Sequence, residues 1–199
     1  MSCLSPGFPA ETEGDERGNH AGHPDASFAW VGPFDHFVYT AGDNLASTPL
    51  KDYTPDKGSA FFALRVVAAF DAVRLAVPHI RPWGSITLTS GTAAFQGGEG
   101  WFLGAAASGA VISAAKSLAV ELAPIPIRVN AVAPGVIRSP LWSGLPEAGR
   151  EAMYENVGRG LPLGRVGEVG DAAKAYVQLM DQDYATGTVS VVDGGTLLV

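Results

Sequence analysis

Ile127-Arg128-Val129-Asn130-Ala131-Val132, running on into Ala133-Pro134-Gly135, decides how the chain is read. The stretch is short and largely apolar. Pro124 and Pro126 precede it and Pro134-Gly135 follows, so it reads as a buried strand ending in a tight turn. The same texture recurs on either side. Phe34-Asp35-His36-Phe37-Val38-Tyr39 runs into Thr40-Ala41-Gly42. Residues 85–89 follow the turn Trp83-Gly84, and residues 187–192 close on Asp193-Gly194-Gly195. Between these strands lie helical stretches. Thr54-Pro55-Asp56 is a helix start, with Thr as N-cap and Pro at the first helical position, and the helix runs to about Val77, with Pro78 and Pro82 at its exit. An Ala-rich helix fits residues 102–122, and another fits 167–180. Residues 139–164 form an excursion with a Ser-Pro start, a short helix near 147–157 and a Gly-rich return. Strands alternating with helices predict an α/β fold: a Rossmann-like parallel sheet with helices on both faces. In such sheets ligands bind beyond the carboxyl ends of the strands, where Gly42, Ser90, Pro134 and Gly135 all fall.

Composition narrows the partners. The chain has 199 residues, 47% of them hydrophobic, which suits one domain with a core. With a formal net charge of -7 and no Lys/Arg cluster, no nucleic-acid partner is expected. One cysteine, Cys3, forms neither an internal disulfide nor, alone, a metal site. His20 and His23 lie in a Gly-rich polar stretch and read as solvated loop residues, so no metal is expected. The longest apolar run, residues 101–115, is shorter than the ~20 residues a membrane span needs, and no signal peptide is visible. The expectations are therefore no membrane partner and a cytoplasmic location. Residues 1–27 show neither helical nor strand periodicity and read as a flexible tail, with the domain at 28–199.

The turns at Tyr39-Thr40-Ala41-Gly42, Leu88-Thr89-Ser90-Gly91, Arg128-Val129-Asn130 with Pro134-Gly135, and Val192-Asp193-Gly194-Gly195 together resemble the later part of a short-chain dehydrogenase/reductase. Leu161-Pro162-Leu163-Gly164-Arg165 and Glu168 resemble that family's approach to its last helix. The resemblance implies hydride transfer between NAD or NADP and a carbonyl or alcohol carbon of a small molecule. It places Ser90 as the hydroxyl that polarises the substrate oxygen. Read from the residues alone, Ser90 is equally a hydroxyl closing a turn. By the same resemblance Ala41 and Gly42 would pass near the adenosine ribose, and Pro134, Gly135 and Val136 would lie against the nicotinamide. Ser139 falls where a Thr often bonds the carboxamide; read alone, it is an N-cap.

The same alignment departs from the family's pattern. Gly104 stands at the position of the catalytic Tyr and Ser108 at that of the Lys, while Lys116 lies two turns too late. Residues 62–65, Phe62-Ala63-Leu64-Arg65, stand where the relay Asn belongs. Nothing in the sequence places Arg65 or Glu99 beside Ser90. The family's fold also opens with a strand, a glycine-rich loop and a helix that receives the pyrophosphate. Only 40 residues precede Ala41, so the first βαβ unit is expected to be missing and the fold N-terminally truncated, leaving the strand at Phe34–Tyr39 an exposed edge. The functional expectation is an NAD(P)-dependent short-chain oxidoreductase; the alternative is a catalytically silent binding or assembly partner of the same fold. The two long helices are expected to pair copies into a homo-oligomer. The excursion, with Trp142, Leu145, Met153 and Tyr154, is expected to lid an apolar substrate.

Overall fold

The computed structural model describes residue 28, residues 31–45 and residues 47–199. The expected tail, with Cys3, His20 and His23, lies outside the described residues. Four parallel strands form the main sheet, β1 (Phe34–Tyr39), β2 (Ile80–Thr89), β3 (Arg128–Pro134) and β6 (Val189–Val192), in the order β1-β2-β3-β6. A second, two-stranded parallel sheet pairs β4 (Ile137–Arg138) with β5 (Gly167–Glu168).

The first long helix begins as its sequence dictates: the Thr54 hydroxyl accepts from the Lys57 N–H at 3.3 Å, one residue ahead of Pro55. It is not one continuous α-helix over 56–77. Helix α1 (Pro55–Phe62) passes into a π-helical turn at Ala63–Val67 before α2 (Ala68–Ala76) resumes. The Ala68 N–H reaches back five residues to the Ala63 carbonyl. Nothing in an apolar periodicity announces one inserted residue, and such turns concentrate at functional sites. Helices α3 (Phe102–Glu121), α4 (Glu147–Gly160) and α5 (Val169–Asp181) complete the set.

Period-two alternation along the strands separates two faces. Ile86 and Leu88 of β2 and Val129 and Ala131 of β3 face α2 and α3, whose Val73, Ala76, Val111, Ala115 and Ala119 close the principal core. Val132 faces the other way, against Ala175 and Leu179 of α5. Helices therefore cover both faces, as expected. Among the described residues only α3 is long and apolar enough to cross a bilayer, and here it packs on β2 and β3.

At the far end β1 stands on the edge of the described sheet. Phe28 covers part of it, with ring centroids 5.9 Å from Phe34 and 5.7 Å from Phe37. Strand β2 begins earlier than its regular ladder. Phe34 pairs with Ile80 and His36 with Ser85, so residues 81–84 bulge out. Trp83 takes φ 70° there, and Gly84 lies so near the Asp35 carbonyl that a Cβ would stand 2.2 Å from it.

Two residues of the Arg-Val-Asn stretch work at the amino end of β3, away from the turn that follows it. The Arg128 guanidinium donates to the Leu179 and Met180 carbonyls, both at 2.8 Å, closing the C-terminus of α5. The buried Asn130 amide donates to the Ala185 carbonyl at 2.8 Å and accepts from the Thr188 N–H at 3.1 Å, fixing the entry to β6.

Candidate active site

At the carboxyl ends of β1, β2 and β3 lies a cavity of about 690 Å³. Ala41, Gly42, Ser90, Pro134, Gly135, Val136 and Ser139, picked from sequence on separate turns, all line it. Gly104 and Ser108 line it too, on the first turns of α3.

Ser90 follows β2, and its N–H continues the ladder by donating to Val132 O at 2.8 Å. Its hydroxyl does not close a local turn. It crosses to α3 and donates to the Ser108 carbonyl at 2.9 Å. The single hydroxyl proton is thus engaged, and the oxygen keeps lone pairs to accept with. Ser139 occupies the N-cap position of a short 3-10 turn (Pro140–Trp142), yet its side chain makes no capping bond. The capping reading of Ser139 therefore fails for its hydroxyl.

The Pro134-Gly135 turn is built against Asp193. A Cβ on Gly135 would stand 2.9 Å from Asp193 Cα and 3.0 Å from its Cβ. Asp193 itself is pinned: its carboxylate accepts from the N–H groups of Gly195 and Leu197 at 2.9 and 3.0 Å. Gly194 and Gly195 take φ 65° and 94°, which L side chains rarely adopt, so the Asp-Gly-Gly triplet is needed to turn the chain under Pro134-Gly135.

Tyr176 and Arg65 also line the cavity, neither with a role assigned from the sequence. Tyr176, on α5, stands with its Oη 2.7 Å from the Thr89 hydroxyl. Thr89 spends its one proton on the Tyr39 carbonyl at 2.6 Å, so Tyr176 must be the donor between the two. Burial pushes the Tyr176 phenol above its ordinary pKa, which keeps it neutral. Arg65 is the other. It sits within the π-helical turn, which Tyr39 steadies by donating from its Oη to the Leu64 carbonyl at 2.7 Å. Its position in the 62–65 window was a signal available from sequence; its inward orientation was not. Glu99 is exposed and does not line the cavity, and Lys116 is exposed on α3.

The excursion divides its labour. Leu141 and Trp142 line the cavity. Tyr154 is buried beneath the Arg138 guanidinium, 4.4 Å from its ring, and Met153 packs in the same cluster. Leu145 is 39% exposed and contributes no wall.

A parallel sheet with helices on both faces, a crevice at its carboxyl edge, and serine and proline-glycine turns inside it define a doubly wound, Rossmann-like α/β domain with its ligand crevice at the strand ends. Comparisons narrow the class: a family model described as enoyl-(acyl carrier protein) reductase matches residues 21–196, and the chain belongs to the short-chain dehydrogenase/reductase family. It is 34% identical over 180 residues to a short-chain dehydrogenase/reductase of Gibberella fujikuroi, covering 87% of this chain and 66% of that one. To the 3-oxoacyl-[acyl-carrier-protein] reductase of Mus musculus it is 33% identical, covering 84% of this chain and 68% of the relative. The chain thus spans about two thirds of the length of these relatives. A crystal structure of a small-chain dehydrogenase in complex with NADPH superposes with TM-score 0.84 at 36% identity, covering 88% of this chain and 80% of that one.

Proposed function

We propose that the chain carries the nicotinamide and substrate side of an NAD(P)-dependent oxidoreductase that interconverts a small-molecule carbonyl and alcohol. The observation that carries this reading is the convergence of Ser90, Ala41-Gly42 and Pro134-Gly135, from three adjacent parallel strands, on one cavity. The described residues suit the nicotinamide end. Pro134, Gly135 and Val136 offer a wall without protruding polar groups, and Ser139 keeps an uncommitted hydroxyl. Ala41 would lie beside the ribose, while at Gly42 the Arg65 guanidinium already stands 3.3 Å from a Cβ position. A bound nicotinamide would supply or accept the hydride. Ser90 would turn its hydroxyl from the Ser108 carbonyl to the substrate oxygen, trading one hydrogen bond for another as charge develops there, and the proton that completes the alcohol would come from water. The mouse relative's name describes reduction of a ketone, a reaction of this class.

A second reading, a silent partner of the same fold, draws support from Gly104 and Ser108. Neither can hold and release a proton as a Tyr–Lys pair does, and Tyr176 is held neutral on Thr89. One experiment separates the two. NADPH oxidation is followed with a panel of aldehydes and ketones, alongside nicotinamide fluorescence on binding. The enzyme reading expects turnover that falls about 10²-fold in Ser90→Ala. No turnover with any member of the panel, or binding of neither NADH nor NADPH, refutes it in favour of the silent partner; turnover unchanged by that substitution takes Ser90 out of the reaction.

We also propose that copies pair through α3 and through α1 and α2 with the π-helical turn between them, where Val67 of that turn is 62% exposed and Val120 of α3 is 76% exposed. The solution mass is then a multiple of 20.6 kDa, by light scattering. A monomer at micromolar concentration contradicts this.

A further inference from the structure

Arg65 is the only charged side chain among the described residues that line the cavity. Its side chain is only 16% exposed, and its Nε is buried with no hydrogen-bond partner among the described residues. A guanidinium withdrawn from water with donors unused is costly unless something arrives to use them. Asp43 answers part of the charge: Arg65 Nη2 donates to its carbonyl at 2.6 Å and to its Oδ1 at 2.5 Å. But Asp43 is itself 55% exposed, so solvent screens that pairing. Nη1 is left towards Gly42, where a Cβ would come within 3.3 Å of it. Glycine at 42 therefore keeps the nitrogen uncovered, and any side chain there would crowd it.

Around this cation the walls are apolar. The Phe61 ring lies 4.7 Å from the guanidinium carbon. Leu141 flanks the other side of Gly42, 3.5 Å from the same Cβ position. Trp101 and Trp142 cross edge to face with centroids 6.2 Å apart.

We infer that this cavity binds a carboxylate carried on an apolar, ring-sized body, with the carboxylate on Arg65 and the body among Phe61, Leu141 and the two tryptophans. With both Nη2 protons spent on Asp43, the guanidinium has Nη1 to offer, which suits one oxygen of a monoanion better than a doubly charged phosphate. The inference rests on the reading of this cavity as a substrate site and gives that substrate its class: an oxo- or hydroxy-acid with an aromatic or branched apolar body.

The test needs neither cofactor nor turnover, so its failure is separable from failure of the oxidoreductase reading. Benzoate and its neutral counterpart benzamide are titrated into the full chain at low ionic strength. Tryptophan fluorescence is the readout, since Trp101 and Trp142 stand in the cavity. Benzoate is expected to bind saturably and at least about tenfold tighter than benzamide, and Arg65→Met to remove that preference while Arg65→Lys keeps part of it. Asp43→Asn removes the competing carboxylate and is expected to tighten benzoate by about threefold or more. A merely structural Arg65–Asp43 pair predicts the reverse, because breaking it would loosen the wall. Equal binding of the two probes, binding of neither, or weaker benzoate binding in a folded Asp43→Asn each overturns the inference. Thermal transitions of all variants are recorded alongside; if Arg65→Met does not fold, Arg65→Lys and Asp43→Asn decide.

Discussion

Asn130→Ala should lower the melting temperature by roughly 5–15 °C, the counterpart of about 2–4 kcal/mol in a domain of this size. The side chain is fully buried, and both ends of its amide are used. Truncation strands the Thr188 N–H and leaves the Ala185 carbonyl only a long 3.5 Å contact from Arg128 Nη1, at about 1–3 kcal/mol for a stranded group if no water replaces the amide. It also unpins the segment that leads into β6, where Ala131 N donates to Thr188 O at 3.0 Å and Gly187 N to Val129 O at 2.7 Å. Asn130→Asp should be at least as damaging, because it keeps the acceptor, loses the donor and buries a charge. Calorimetry of both variants settles the point. A shift within a degree of the parent for Asn130→Ala would mean that Asn130 is packing alone and that the amide bonds carry no net weight.

That prediction also separates what the sequence disclosed from what it hid. The stretch from Arg128 to Gly135 was legible as a strand and a turn, because apolar content, length and flanking prolines all pointed one way. Its division of labour was not legible. Arg128 and Asn130 serve the amino end of β3 and never approach the cavity, whereas Pro134 and Gly135 line it. Residues adjacent in a motif end up some strand-length apart in purpose, since a strand advances ~3.3 Å per residue. The convergence of Ala41-Gly42, Ser90 and Pro134-Gly135 could be read from sequence, because parallel strands bring their carboxyl ends to one edge. Arg65 was harder. A helix read at a period of 3.6 assigns each residue a face, and one inserted residue in the Ala63–Val67 turn shifts that phase for everything around it. The only hint was negative: no asparagine in a window where one was expected. Tyr176 was invisible for another reason. Its partner Thr89 lies 87 positions away, and only the packing of α5 across β2 joins them.

Gly135→Ala should be destabilising by about 1–3 kcal/mol, although the change is one methyl and the position is only half-buried. The cost comes from what the methyl would meet. Asp193 Cα, at 2.9 Å, is backbone and cannot rotate away, and its carboxylate and the Thr196 hydroxyl bond to its carbonyl (2.8 Å) hold it in place. The turn must open instead, stretching the Gly135 N–H bond to Val192 O, now 2.9 Å, and moving Pro134 at the cavity wall. Stability and ligand binding should therefore fall together in this variant. The comparison that isolates the cause is Gly109→Ala on α3. There a Cβ meets nothing within 4 Å, and the helix should gain about 0.5–1 kcal/mol from the loss of glycine's freedom in the unfolded chain. Chemical denaturation of the two variants should thus give opposite signs for the same substitution. If both are destabilised, backbone entropy has been overruled on α3 by close packing against a second copy. If both are neutral, the Pro-Gly turn and the Asp-Gly-Gly turn are independent, and their juxtaposition beneath the cavity is not what fixes its shape.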